Sequence, residues 1–84
     1  MGVMKNKFKE RFSEIRKHSG LSQYDFKENI FVAQQTVSSW EQGRTTPNID
    51  LLIDLSELFQ CTVGQLIGTE SLNVNELPII KEKY

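Results

Sequence analysis

The stretch that decides the fold is LSQYDFKENIFVAQQTVSSWEQG, residues 21–43. Its apolar residues recur at helical spacing, because Phe26 and Ile30 lie four positions apart and Val37 and Trp40 lie three apart. The first helix is expected to open with a Ser-x-x-Asp capping pattern, Ser22 to Asp25, and to run to about Ile30, and the second is expected to end at Gly43. The stretch therefore predicts two short helices that are joined by a tight turn.

The second of these helices, over about residues 34–42, carries an unusual outward face. At about 100° per residue, Val37 and Trp40 point to one side. The opposite arc holds two amides and two hydroxyls: Gln34, Gln35, Ser38 and Ser39. A solvated face usually carries Lys and Glu, whereas amides and hydroxyls both donate and accept hydrogen bonds. The edges of DNA bases require that combination.

A further helix is predicted before this stretch. Phe8, Phe12 and Ile15 form a helical stripe, and Gly20 supplies a C-terminal stop. His18 is expected to be exposed near the end of this helix, where a protonated ring suits the helix dipole.

Two more helices are predicted after it. The fourth starts after Pro47 with Asn48 as N-cap and carries an apolar stripe: Ile49, Leu52, Leu55 and Phe59. The fifth opens with a capping box from Thr62 to Gln65 and turns Leu66 and Ile67 inward. Since no run alternates with period two, the prediction is an all-α, compact five-helix bundle.

Composition bounds the class of protein. The chain has 84 residues, 38% of them apolar and 25% charged, which is typical of one soluble globular domain. A single cysteine, Cys61, and the lack of a signal-peptide pattern or a membrane-spanning run predict a cytoplasmic protein. One histidine, one cysteine and no Gly-rich phosphate loop argue against an enzyme, a metal site or a cofactor.

Charge is distributed unevenly, although the net charge is only −1. Residues 1–20 carry six basic groups against two acids, whereas residues 48–70 carry four acids and no Lys or Arg. This asymmetry favours one face that meets an anion and another that does not.

Residues 15–47, IRKHSGLSQYDFKENIFVAQQTVSSWEQGRTTP, resemble the Cro/C1 (XRE-type) helix-turn-helix family almost position by position. The LSQ opening, the VSSWEQG close and the position of Pro47 all fall at the family's spacing. The resemblance extends over about residues 5–68. It implies a lambda-repressor-like DNA-binding domain over residues 1–70, followed by a tail over residues 71–84.

The resemblance also implies roles for individual residues. The helix over residues 34–42 would be the recognition helix in the major groove, with Gln34, Gln35 and Ser39 facing bases. A Gln amide can pair bidentately with the N6/N7 edge of adenine. The residues expected to contact phosphates or to position the protein are Gln23, Thr36, Ser38, Arg44, Thr45, Lys5 and Lys7, with Lys9 beside them.

Two further sets of residues are implied to be structural. Arg16 and Glu41 match an ion pair that sets the tilt of the recognition helix. The residues that the family places in the core are Leu21, Phe26, Val37 and Trp40.

Three residues depart from the family pattern. Phe31 stands where the turn usually has Gly, so it either adopts a left-handed backbone or changes the turn, at a cost on the order of 1 kcal/mol or more. Lys27 replaces a small residue, and its stem must extend outward. Ala33 replaces the usual Ser or Thr N-cap, which forfeits about 1 kcal/mol.

These features predict a transcriptional regulator, with repression favoured, that binds double-stranded DNA as a homodimer on a near-palindromic operator. One alternative is an antitoxin or restriction-system controller whose tail also binds a protein partner. Another is a protein-interaction module that has lost DNA binding. For the apolar tail, three interpretations stay open: a terminus resting on the fold, a dimer contact, or a linker.

Overall fold

The computed structural model describes residues 7–82, and all regular secondary structure assigned in this part of the chain is helical. The helices are α1 (Phe8–Ser19), α2 (Phe26–Ile30), α3 (Gln34–Glu41), α4 (Ile49–Phe59) and α5 (Val63–Ile67), with 3₁₀ turns at Gln23–Asp25 and Val74–Glu76. The predicted five-helix, all-α class is confirmed. Within residues 7–82, no helix is both long enough and apolar enough to cross a membrane.

The predicted helix ends are largely confirmed. Gly20 ends α1 in the left-handed region, with φ 83°. The Asn48 side chain accepts a hydrogen bond from the Leu51 N–H at 2.9 Å, which caps α4. Thr62 and Gln65 form the predicted capping box at α5, with hydrogen bonds of 2.9 and 3.0 Å.

The segment before α2 differs from the prediction of one continuous α-helix. It begins as a 3₁₀ turn, Gln23–Asp25, and becomes α-helical at Phe26. The Ser22 N–H donates to Asp25 Oδ2 at 2.7 Å, so the expected Ser-x-x-Asp contact is present. This backbone hydrogen bond lowers the pKa of the Asp25 carboxyl below its usual 3.8, with help from Lys81 and against the opposing effect of burial.

An aromatic cluster forms the centre of the core. Its members come from four helices and are at most 1% exposed: Phe8, Phe12, Phe26, Trp40 and Phe59. Phe12 touches the other four, with ring centroids 5.2 to 6.1 Å apart. Phe12 meets Trp40 and Phe59 edge to face, stacks on Phe8 and lies tilted against Phe26. Stacked and edge-to-face aromatic pairs add about 0.5–1.5 kcal/mol each beyond the burial of area. The core therefore fixes α3 against α1 through Trp40.

The position of Ile49 corrects the sequence analysis. It is 62% exposed, although it was predicted to belong to the apolar stripe of α4. The buried side of α4 runs along Leu55 and Phe59, with Leu51, Leu52 and Leu58 partly buried beside it. At about 100° per residue, Ile49 lies roughly 120° from the centre of that side. It therefore faces solvent in the first turn of the helix.

The C-terminal segment packs along α1. Leu72, Val74 and Leu77 lie against the core, and the N–H groups of Ile80 and Lys81 both donate to the Ser19 carbonyl at 2.9 Å. A Cβ at Gly20 would lie 1.7 Å from the Lys81 carbonyl oxygen. Leu72, Val74 and Leu77 therefore rest on the fold, while a dimer contact and a linker stay predictions for the tail.

The same segment corrects the prediction for His18. The ring is half-buried rather than exposed, and its Nε2 lies 2.8 Å from the Leu77 carbonyl oxygen. The prediction was wrong because it considered only α1, whereas the C-terminal segment packs along α1 and brings Leu77 next to His18. Asp25 is tied to the same segment by an ion pair with Lys81 at 3.0 Å.

Candidate nucleic-acid interface

The recognition-helix candidate, α3, has two distinct sides. Val37 and Trp40 are 0% and 1% exposed and fasten the helix to the core. Gln35 and Thr36 are exposed, and Gln34, Ser38 and Ser39 are partly exposed. The predicted separation of apolar and polar residues is therefore present in the structure.

Four side chains form a hydrogen-bonded relay that reaches Gln34. The Arg16 guanidinium binds Glu41 in a bidentate manner through Nε and Nη2, and its Nη1 donates to the Leu21 carbonyl at 2.9 Å. Glu41 Oε1 also accepts from Gln23 Nε2 at 2.9 Å. Gln34 Nε2 in turn donates to Gln23 Oε1 at 2.7 Å. We call Arg16, Glu41, Gln23 and Gln34 the relay.

The relay restricts Gln34 without using up its hydrogen-bonding capacity. A Gln amide has two N–H donors and a carbonyl oxygen. Since one N–H goes to Gln23, Gln34 retains one N–H donor and its carbonyl acceptor. The N6/N7 edge of adenine offers the complementary acceptor and donor. Gln23 likewise retains one N–H after donating to Glu41.

Sequence reasoning missed two of the relay's three contacts. It paired Arg16 with Glu41, and it treated Gln23 and Gln34 as independent groups. The available signal was the presence of Gln at the start of the helix preceding the turn and of Gln at the start of α3. Two amides at the facing ends of packed helices can bond to each other.

A shallow hollow of about 460 Å³ lies beside α3, between the helix and the start of α4. Its polar lining includes Gln35, Thr36, Ser39 and Thr45, which the sequence analysis had assigned to bases or phosphates. Arg44 follows the C-terminal end of α3 and is exposed. Its backbone N–H donates to the Ser39 carbonyl at 2.9 Å. Ser38 does not line this hollow, and its Oγ accepts a hydrogen bond from Gln42 Nε2 at 2.9 Å.

The candidate lysines lie in different places. Lys9 lies beside the C-terminal end of α3, since a Cβ at Gly43 would be 3.2 Å from the Lys9 side chain. Lys7 lies at the end of α5, where its N–H donates to the Ile67 carbonyl at 2.8 Å. Lys5 lies outside the described residues.

The three departures from the family pattern lie in the turn between α2 and α3 (Phe31 and Ala33) and on α2 itself (Lys27). Phe31 adopts the left-handed region, with φ 61° and ψ 34°, which costs about 1–2 kcal/mol for a residue with a Cβ. Ala33 has the extended backbone of an N-cap and makes no side-chain cap, as expected. Lys27 is exposed. The turn thus keeps the shape that a glycine would give it.

Cys61 lies between α4 and α5, away from the hollow beside α3. Burial raises the pKa of the Cys61 thiol to about 11, so the thiol is protonated at neutral pH. Cys61 is partly buried and packs against the core.

Two short helices joined by a tight turn, with a polar outer face on the second, define the helix-turn-helix class. A family profile described as "Helix-turn-helix" matches residues 12–66, well over half of the chain, and the chain belongs to that family in its Cro/C1 (XRE) type.

Two relatives are transcriptional regulators by name. The HTH-type transcriptional activator BcrR of Enterococcus faecalis is 31% identical over 65 residues, which are 77% of this chain and 32% of the relative. The crystal structure of a transcriptional regulator from Listeria innocua superposes with a TM-score of 0.74 at 28% identity. That match covers 83% of this chain and 65% of the Listeria chain. The present chain thus spans about a third of the curated relative.

Proposed function

We propose that this chain binds double-stranded DNA as the DNA-binding part of a cytoplasmic transcriptional regulator, with α3 in the major groove. The observation that carries the proposal is the relay, which holds Gln34 while leaving it one donor and one acceptor. Membership of the helix-turn-helix family and two relatives named as transcriptional regulators support it.

Sequence would be read mainly by Gln34 and Gln35, with Ser39 further along the same face. Each bidentate Gln–adenine pair is worth about 1–3 kcal/mol of discrimination. We therefore expect adenines at the base positions that Gln34 and Gln35 face. Ser39 lines the hollow that also includes Gln35, which supports a contribution from that side of the helix.

The remaining polar residues would hold the register on the DNA backbone. Gln23 has one N–H left for a phosphate oxygen. The other candidates for backbone contacts are Thr36, Ser38, Arg44, Thr45, Lys5, Lys7 and Lys9. Contacts of this kind carry little sequence information but make binding strongly dependent on salt.

We infer further that the protein acts as a homodimer on a near-palindrome, with half-sites about 34 Å apart, because one half-site gives too few contacts for tight binding. Repression is the sequence-based proposal for the sign of regulation. The Enterococcus relative is named an activator, so a reporter assay with the recovered operator decides the sign.

The test is selection of binding sites from random duplexes at moderate salt. We expect an adenine-containing near-palindrome, bound with an affinity that falls steeply as salt rises. Gln34→Ala should weaken binding about 5- to 150-fold, which corresponds to about 1–3 kcal/mol. Asn75→Ala, an exposed amide on the C-terminal 3₁₀ turn, is the matched control.

Recovery of no motif would reject the proposal. If binding is instead insensitive to salt and to Gln34→Ala, the alternative of a protein-interaction module gains support.

A further inference from the structure

Phe31 is the most exposed large apolar side chain in the described part of the protein, with 90% of its surface accessible. Its backbone is left-handed, a conformation that glycine or asparagine adopts more readily. Burial of the ring does not offset this strain, because the ring lies outside the core. The fold therefore carries an aromatic side chain that contributes little to its own packing.

A shallow hollow of about 440 Å³ adjoins the ring, between the end of α2 and the outer face of α4. Its lining residues are Asn29, Ile30, Phe31, Asp54, Glu57 and Leu58, and we call them the Phe31 patch. Ile30 and Leu58 are half-buried and pack against the core, so the floor is apolar and rigidly supported.

The rim of the patch is acidic. Asp54 and Glu57 are exposed, and neither Lys nor Arg contributes to the lining. Lys27 lies one turn before Phe31 on α2, outside the lining. The surrounding segment, residues 48–70, carries four acids and no Lys or Arg. A basic partner is therefore attracted to this surface, and a phosphate backbone is repelled.

The same charges discriminate between proteins as partners. In a symmetric contact between two copies of the patch, Asp54 and Glu57 of one copy would meet the same residues of the other. Like charges brought together at an interface oppose binding. A partner segment with an apolar side chain flanked by Lys or Arg complements both parts of the patch. The apolar side chain can pack on the floor, and the basic groups can pair with the acidic rim.

We propose that the Phe31 patch docks a segment of another protein in which an apolar side chain is flanked by Lys or Arg. The patch is lined by far fewer residues than the roughly 20–30 that each side of a stable interface contributes, so the contact is transient. It shares no lining residue with the hollow beside α3, so docking is compatible with the proposed DNA binding and goes beyond it.

The test uses a displayed library of random 12-residue peptides, selected on the full chain. We expect binders that combine an apolar residue with Lys or Arg. Phe31→Asn should weaken them at least tenfold, because Asn tolerates the left-handed backbone and removes the ring. The double variant Asp54→Asn with Glu57→Gln should weaken peptide binding by a similar factor and should make the remaining binding less dependent on salt.

Matched controls lie elsewhere on the surface. Ile79→Asn removes another exposed apolar side chain, and Glu14→Gln with Glu76→Gln removes two exposed acids. Both should leave peptide binding unchanged. Amide shifts in NMR spectra should change on binding at residues 29–31 and 54–58.

Four results of the peptide-binding experiments would overturn the proposal. They are the absence of any enriched binder, binders without basic residues, equal binding by Phe31→Asn, and shifts that concentrate on α3. Sedimentation of the chain alone gives a separate check. If the chain dimerises and Phe31→Asn abolishes the dimer, the occupant is a second copy instead.

Loss of DNA binding in Phe31→Asn would assign the ring to the DNA surface and also reject the proposal. Retention of both the fold and DNA binding by this variant is the expected result. Failure of the docking proposal would leave the Gln34→Ala test of DNA binding unaffected.

Discussion

The relay, which runs from Glu41 at the end of α3 to Gln34 at its start, and the turn before α3 are built in opposite ways. On the relay side, Glu41 and Gln23 are each hydrogen-bonded to two partners, and the Arg16 and Glu41 side chains are only 14% and 13% exposed. On the turn side, Phe31 is strained and exposed, and Ala33 gives no side-chain cap.

This contrast teaches that the position of α3 depends on the core and the relay rather than on the turn. Trp40 and Val37 anchor the helix in the aromatic cluster, and the relay then orients its polar face. A turn that costs about 1–2 kcal/mol is tolerated because the other contacts determine where the chain must go.

The largest expected effect comes from breaking the ion pair. Glu41→Ala should lower the free energy of unfolding by about 3 kcal/mol, because it leaves Arg16 desolvated without its carboxylate partner. Urea unfolding measures this change. Glu41→Gln, which keeps an oxygen acceptor for Gln23, should lose less. Equal stability of Glu41→Ala and the parent chain would show that the relay is not structural.

A smaller effect is expected from interrupting the relay at Gln23. Gln23→Ala should weaken DNA binding by about 1–2 kcal/mol, roughly 5- to 30-fold, because Gln34 loses its positioning contact. Stability should change by about 0.5 kcal/mol or less, since the Arg16–Glu41 pair remains. A double-mutant cycle with Gln34→Ala should give a coupling energy of about 1 kcal/mol. Strict additivity of the two substitutions would contradict the relay.

The sequence predicted most of what periodicity and capping control. The stripe of Phe8, Phe12 and Ile15, the Asn48 cap and the Thr62–Gln65 box depend on neighbours within one or two helical turns, and all are present. Sequence spacing alone failed at Ile49, because the centre of a buried face depends on which helices pack against it. The hydrogen bond from His18 to Leu77 joins residues 59 positions apart, and no local pattern encodes that contact.

The candidate interface shows the same division. The polar arc of α3 follows from the helical period, so it was predictable. The bond between Gln23 and Gln34 depends on how closely the two helices approach each other. The left-handed backbone at Phe31 was one of two outcomes that the sequence left open, and the well-packed residues on either side select it.

On the turn side, a substitution should raise stability. Phe31→Gly removes about 1–2 kcal/mol of left-handed strain, while the added freedom of the unfolded chain costs about 0.5–1 kcal/mol. The net gain should be about 0.5–1 kcal/mol in urea unfolding. Gln60→Gly is the matched control, because Gln60 is also exposed and left-handed, with φ 58°. A loss of stability in Phe31→Gly would mean that the ring packs in the native state after all.

The smallest expected effect concerns Asp25, which holds the 3₁₀ turn that carries Gln23. Its pKa is lowered, chiefly by the Ser22 N–H, so its ionised form is favoured in the folded state. The resulting stability is present above the usual pKa of 3.8 and is lost as the pH falls through the lower folded pKa. Asp25→Asn should therefore be less stable than the parent chain at pH 7, and the difference should shrink at pH 3. Urea unfolding at both pH values measures this difference in stability.

Lys81 is 58% exposed, so Lys81→Met should retain most of the pH-dependent stability. A difference between Asp25→Asn and the parent chain that does not depend on pH would assign the role of Asp25 to shape alone.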